Sequence, residues 1–239
     1  MSTHNSNYVP HGGALSGFFP FDFYLSWRES FHDLTFAVVI LNFGYHLLRA
    51  TTDKSPKRSS WILTFLCSGI GIIGCFYTLF NFALNKWDLS TIYSTNRESR
   101  FFITFFCTFF VLDLVYLNFH YPEESGLAHH IAYFLCMVLG LLYNFPMVYV
   151  VFFPLEIPTF ILSIGHIWPK YRQDILFGVI FFLTRVLFHG FMLRILYDTR
   201  YISPLPVWHL ASISWLIHVF WFGKWCISYN KKFRKISKS

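Results

Sequence analysis

FFVLDLVYLNFHYPEESGLAHHIAYF, residues 109–134, decides how the chain is read. Its first half is apolar enough for hydrocarbon, yet Asp113, Tyr116 and His120 recur every three or four residues, which on a helix gives one polar face. The segment Pro122-Glu123-Glu124-Ser125-Gly126 reads as a turn, and a second apolar run then opens on His129 and His130. Ionisable side chains are expensive in a bilayer, so their presence here points to a polar chamber between membrane helices. The same signal recurs further along the chain at Glu156, Arg185 and His189, the last two four residues apart and therefore on one face.

The rest of the chain supports the membrane reading. Of 239 residues, 55% are hydrophobic, 22% aromatic and 13% charged, too little polar surface for a soluble fold of this size. The formal charge of +7 lies largely in short segments between or just beyond the apolar runs, which is a topology signal and not one for nucleic acid. The tail residues Lys231, Lys232, Arg234, Lys235 and Lys238 read first as an orientation signal, and would also attract anionic headgroups. The five cysteines all fall in apolar segments without a CxxC pair, as small buried hydrophobes do. The opening residues lack the basic start and apolar core of a signal peptide, so the first membrane helix is expected to act as the insertion signal.

An all-α, multipass transmembrane protein of about seven spans is expected. The spans run from about Phe31 to Leu48, Trp61 to Leu84, Phe101 to Tyr121, His129 to Tyr143, Pro146 to Ile167, a sixth carrying Arg185 and His189, and Val207 to Tyr229. The fourth and fifth are short and separated by the uncharged Asn144-Phe145-Pro146, which leaves open six spans with a re-entrant segment. Small residues at Ser68-Gly69-Ile70-Gly71-Ile72-Ile73-Gly74 suit close helix approach. Pro158, two residues after Glu156, removes an N–H and crowds the preceding turn, so a backbone break with exposed carbonyls and a polar site should coincide. With seven spans, placing the basic loops at 49–58 and 170–172 and the basic tail in the cytoplasm satisfies the positive-inside rule and leaves the N-terminus lumenal.

Side chains at i and i+1 on a helix diverge by about 100°, so His129 and His130 are expected to have different roles. One imidazole would serve as a base while Asp113 or Glu156 fixes its tautomer. Arg185 would pair with a carboxylate or hold a lipid phosphate or carboxyl group. The competing reading is that these groups satisfy one another and merely hold helices in register. His189 divides evenly between catalysis and interhelical bonding. His166, His209 and His218 read as packing or bonding residues. No HExxH, repeated histidine box or GxSxG is present, so neither a metal centre nor a serine hydrolase is expected.

The stretch 109–134, with LEIPTF around Glu156, FFLTRVLFHG around Arg185 and His189, and WFGKWCISYNKK at 221–232, resembles the TLC (TRAM/Lag/CLN) family, and within it the small TLC domain-containing proteins. The resemblance runs from Lys57 to the tail. It divides the chain into an N-terminal segment and first helix (1–56), a TLC domain (57–230) and a basic cytoplasmic tail (231–239). It implies a six-helix barrel after the first span, a lipid-accessible interior and an endoplasmic reticulum or related endomembrane location. In the ceramide synthase branch the histidine pair, here His129 and His130, transfers an acyl group from acyl-CoA to a sphingoid amine. Residues 147–155 lack the acidic side chains that branch carries before its glutamate, which argues against ceramide synthesis itself. The resemblance thus implies an endomembrane lipid-binding protein acting in lipid metabolism or homeostasis. Its catalytic residues would be His129, His130 and Asp113, its polar chamber Glu156, Arg185, His189, His120 and Tyr116, with acyl-CoA as co-substrate and no other cofactor. A non-enzymatic sensor, carrier or scaffold is the alternative.

Overall fold

The computed structural model describes residues 22–52, 55–84, 92–93, 95–120, 127–201, 203 and 206–236, with the side chains of 22–29, 120, 128 and 232–236 outside the description. The expected turn at 122–126 and most of the basic tail's side chains therefore lie outside the described residues. Seven principal helices are present: α1 (Asp22–Thr51), α2 (Ile62–Leu84), α3 (Arg97–His120), α4 (Leu127–Leu142), α5 (Glu156–Ile167), α6 (Asp174–Asp198) and α7 (Val207–Ile236). Among the described residues there is no strand.

Among the described residues six helical units are long and apolar enough to cross a membrane, α5 doing so together with the short turns that precede it from Met147. The histidine-bearing α4 has only 16 residues, about 24 Å at the usual rise, against a hydrocarbon core of about 30 Å. Its end is the expected break: the chain turns at Asn144, which takes a positive φ of 58°, and re-enters helix at Met147.

α3 is the central helix. Every residue from Phe102 to Phe110 is buried, so this segment is enclosed on all sides instead of presenting a single buried stripe. α1 packs on it through Asp33, Ala37, Leu41 and Tyr45, four residues apart, while Phe36, Val39, Phe43 and Leu47 face outward. Asp33 receives both terminal nitrogens of Arg97 at 3.0–3.3 Å, which fixes the height of α1 against α3. α7 is the reverse case: of its described side chains only Val207 and His218 are buried.

The glycines of α2 admit α3 and α5. A Cβ on Gly71 would meet Phe106 and Glu156 at 3.0–3.2 Å, and one on Gly74 would stand 2.5 Å from the Phe153 ring. Gly74→Ala is expected to destabilise by about 1–3 kcal/mol through overpacking, since Phe153 is itself stacked on Phe106 and cannot retreat freely. Unfolding of the detergent-held protein measures this, and Gly223→Ala, where nothing lies within 4 Å, is the control.

Candidate functional site

The first half of the site is built on α3 and α4. Asp113, 3% exposed, lies on the buried side of α3. The first turn of α4 returns alongside it, and His130 donates Nε2–H to Asp113 Oδ2 at 2.7 Å. That length is typical of a charge-assisted bond, and the rings of Phe109 and Phe110 beside it limit competition from water. His129 takes the other direction, its ring turned 80° from that of His130. It is exposed at the surface of the bundle, packed on Tyr133 at 4.5 Å and facing Trp221 of α7 at 6.5 Å. The histidine pair is therefore divided into one held imidazole and one accessible imidazole.

The second half is built where the backbone departs from regular α-helix. Before α5 the chain makes a 3-10 turn over Phe153–Leu155, and Pro158 falls in the first turn of the helix that follows. The expected carbonyl is available there: Arg185 Nε donates to Leu155 O at 3.0 Å. Within α6 the stretch Phe182–Phe188 is π-helical, and the Val186 carbonyl accepts from Trp215 Nε1 of α7 at 2.9 Å. This stretch delivers Arg185, and the turn that follows delivers His189, to the one buried point of mid-α7, His218.

The protonation pattern along that chain follows from donor and acceptor identity. Arginine has no acceptor, so His218 Nε2, 3.4 Å from Arg185 Nη1, must be the unprotonated nitrogen. A neutral His218 then carries its proton on Nδ1 and donates it to His189 Nδ1 at 3.1 Å. His189 in turn is left with its proton on Nε2, a buried atom without a hydrogen-bond partner in good geometry among the described residues and lying near the Ala211 backbone. Three side chains from two helices thus form one directed series of donors that begins at a fixed positive charge.

Glu156 packs against Gly71 and interacts with Thr159, whose hydroxyl also accepts from Arg185 Nη2 at 2.6 Å. Among the described residues no carboxylate lies within ion-pair distance of Arg185; its guanidinium gives one N–H each to a carbonyl, a hydroxyl and an imidazole. The two halves share one interior. His129 lies within electrostatic reach of Arg185 and His218, and Cys67 within reach of both Asp113 and Glu156. Beside Arg185 a half-open pocket of about 330 Å³ lies between α5, α6 and α7, with Trp221 and Phe181 among its walls.

Tyr116 points elsewhere, donating its hydroxyl to Asn42 Oδ1 of α1 at 3.0 Å. His120 ends α3 and its side chain lies outside the described residues. His166 stacks on Trp61 and the His209 ring lies tilted against Trp208, both packing contacts. His218 makes the interhelical bonds expected of it. Its position between Arg185 and His189, and the contributions of Thr159 and Trp221, were not anticipated from sequence. One usable signal existed: His218 sits among Leu216, Ile217, Val219 and Phe220, as costly a placement as that of Asp113.

The family model for the TLC domain matches residues 26–227, a range that takes in most of α1 as well as the helices that follow it. No curated protein and no solved structure matches the chain. The chain belongs to the TLC (TRAM/Lag/CLN) family and is a multipass membrane protein of that family.

Proposed function

Taking TLC-family membership as the premise, we propose that the protein binds a lipid within its polar chamber and acts in lipid metabolism or homeostasis in the endoplasmic reticulum membrane, with the short α4 crossing as a seventh span through a locally thinned bilayer, so that the N-terminus is lumenal and the C-terminus cytoplasmic. The reading that best fits the geometry is acyl transfer from acyl-CoA to a lipid hydroxyl or amine. The observation that carries it is the 2.7 Å bond between His130 and Asp113 inside an apolar helix pair. With Nε2–H committed to the carboxylate, Nδ1 of His130 is the basic nitrogen. It takes the proton of the acceptor group as that group attacks the thioester carbonyl; the C–S bond breaks and the coenzyme A thiolate leaves and is protonated. His129, accessible and ringed by Tyr133 and Trp221, contacts the substrate. A chamber of aromatic walls limits competing hydrolysis.

A second reading, a non-enzymatic lipid sensor, carrier or scaffold, is favoured by the Arg185–His218–His189 series, whose bonds join helices and require no turnover. The test compares wild type with a His129→Asn, His130→Asn double variant of equal yield and fold. Co-purified lipids are read by mass spectrometry before and after incubation with long-chain acyl-CoA. A new acylated lipid from wild type alone is the expected result. Lipid retention without acyl-CoA consumption in either protein would overturn the transferase reading and leave the binding one.

A further inference from the structure

The pocket beside Arg185 combines a cation with walls that are otherwise almost entirely apolar. Its volume of about 330 Å³ stands at the small end of ligand pockets, which run from about 300 to 1,000 Å³. Phe177, Phe181, Trp221, Phe222 and Trp225 supply its aromatic surface; Arg185 and Thr159 are its polar end. It opens between helices whose outward faces are apolar, including Leu183, Leu216 and Phe220, so its occupant arrives from the bilayer and not from water. Such a space takes one chain, not the two of a diacyl lipid.

The polar end selects the head. Of the five guanidinium N–H groups, one goes to the Leu155 carbonyl, one to Thr159 and one to His218 Nε2. One N–H remains on each of Nη1 and Nη2 for an anionic head to accept. Glu156 is the near carboxylate but is held off the guanidinium by the Thr159 hydroxyl they share, so Arg185 has no carboxylate within ion-pair distance among the described residues; set against apolar walls, it favours an anionic ligand whose head would not have to compete with bulk water. Building on the lipid-binding reading above, we infer that this pocket is a binding site for a single-chain fatty acid, its carboxylate on Arg185 and its chain among the α6 and α7 aromatics. It is distinct from the Asp113–His130 pair, and its position behind Trp221, which also faces His129, lets occupancy there bear on the accessible imidazole.

The test is equilibrium binding of radiolabelled stearic acid to the full chain in lipid nanodiscs, with stearyl alcohol and stearoyl lysophosphatidic acid as competitors. Saturable binding is expected, with stearic acid competing at least about tenfold better than the alcohol because the alcohol forfeits the charge-assisted bonds. Arg185→Gln should weaken binding by about tenfold or more. Should that variant fail to fold, Leu162→Trp leaves the guanidinium in place and fills the pocket, and is expected to abolish binding. Absence of saturable binding, equal competition by the alcohol, stronger competition by the lysophosphatidate, or undiminished binding in Leu162→Trp would each overturn the assignment. Acyl-CoA turnover or co-purified lipid without stearic acid binding removes this pocket assignment alone; stearic acid binding without turnover removes only the transferase reading.

Discussion

Arg185→Leu is expected to destabilise the protein by about 3–5 kcal/mol, the cost typical of removing one partner from a buried polar cluster. The substitution leaves three acceptors without their donor: the Leu155 carbonyl, the Thr159 hydroxyl and His218 Nε2. Each buried group so orphaned costs about 1–3 kcal/mol, and recovering the desolvation of the guanidinium offsets part of the sum. In hydrocarbon no water replaces the lost donor, which keeps the cost high. Arg185→Lys should fall between wild type and Arg185→Leu, because an ammonium is a point donor and cannot span a carbonyl and a hydroxyl on the α5 segment and an imidazole on α7. Adding His218→Leu to Arg185→Leu should cost less than the two single changes summed, with a coupling of about 0.5–3 kcal/mol, since the second change removes an acceptor already orphaned. Unfolding of the detergent-held protein in increasing dodecyl sulfate measures all four. Wild-type stability in Arg185→Leu would mean that the guanidinium does not hold α5, α6 and α7 together.

How much of this was legible in the sequence depends on which forces fix each part. Spans such as α2 and α7 were readable because hydrocarbon thickness sets a minimum apolar length, and the shortness of α4 was readable for the same reason. The face carrying Asp113 was readable from its spacing, yet the register of α4 against α3 that brings His130 to 2.7 Å of it is a tertiary outcome that no local propensity encodes. Arg185 was open to an unspecified carboxylate or an anionic lipid head. In the structure the break before α5 presents a carbonyl to the guanidinium instead, and Thr159 stands between it and Glu156. The π-helical stretch of α6 was likewise not legible from local sequence, and within it the Val186 carbonyl accepts from Trp215 of α7. Tyr116 shows the limit of face arguments, since a polar stripe on an enclosed helix meets different neighbours at different heights, and at that height the neighbour is Asn42 of α1.

Asp113→Asn is expected to lower acyl-transfer turnover by about 100- to 10,000-fold, the range that a positioned general base contributes. The change is nearly isosteric, so its effect is electronic. A carboxylate can only accept, which holds the His130 proton on Nε2 and leaves Nδ1 basic. An asparagine can donate to Nε2 instead, and the imidazole proton then moves to Nδ1, where the acceptor substrate needs a lone pair. Loss of the negative charge also removes what stabilises the imidazolium formed during transfer. Neither change touches the aromatic walls or Arg185, so kcat should fall while the KM for acyl-CoA and the retention of co-purified lipid stay near wild type. Stability is expected to fall by about 1.5–3 kcal/mol, the contribution of one hydrogen bond to a charged group, which leaves enough folded protein to assay. His130→Asn should match it in turnover, and the double variant should be little worse than either alone because the two side chains act as one unit. An Asp113→Asn protein that turns over at the wild-type rate, with only its stability reduced, would place the pair among the ties between α3 and α4 and move the chemistry, if there is any, to His129.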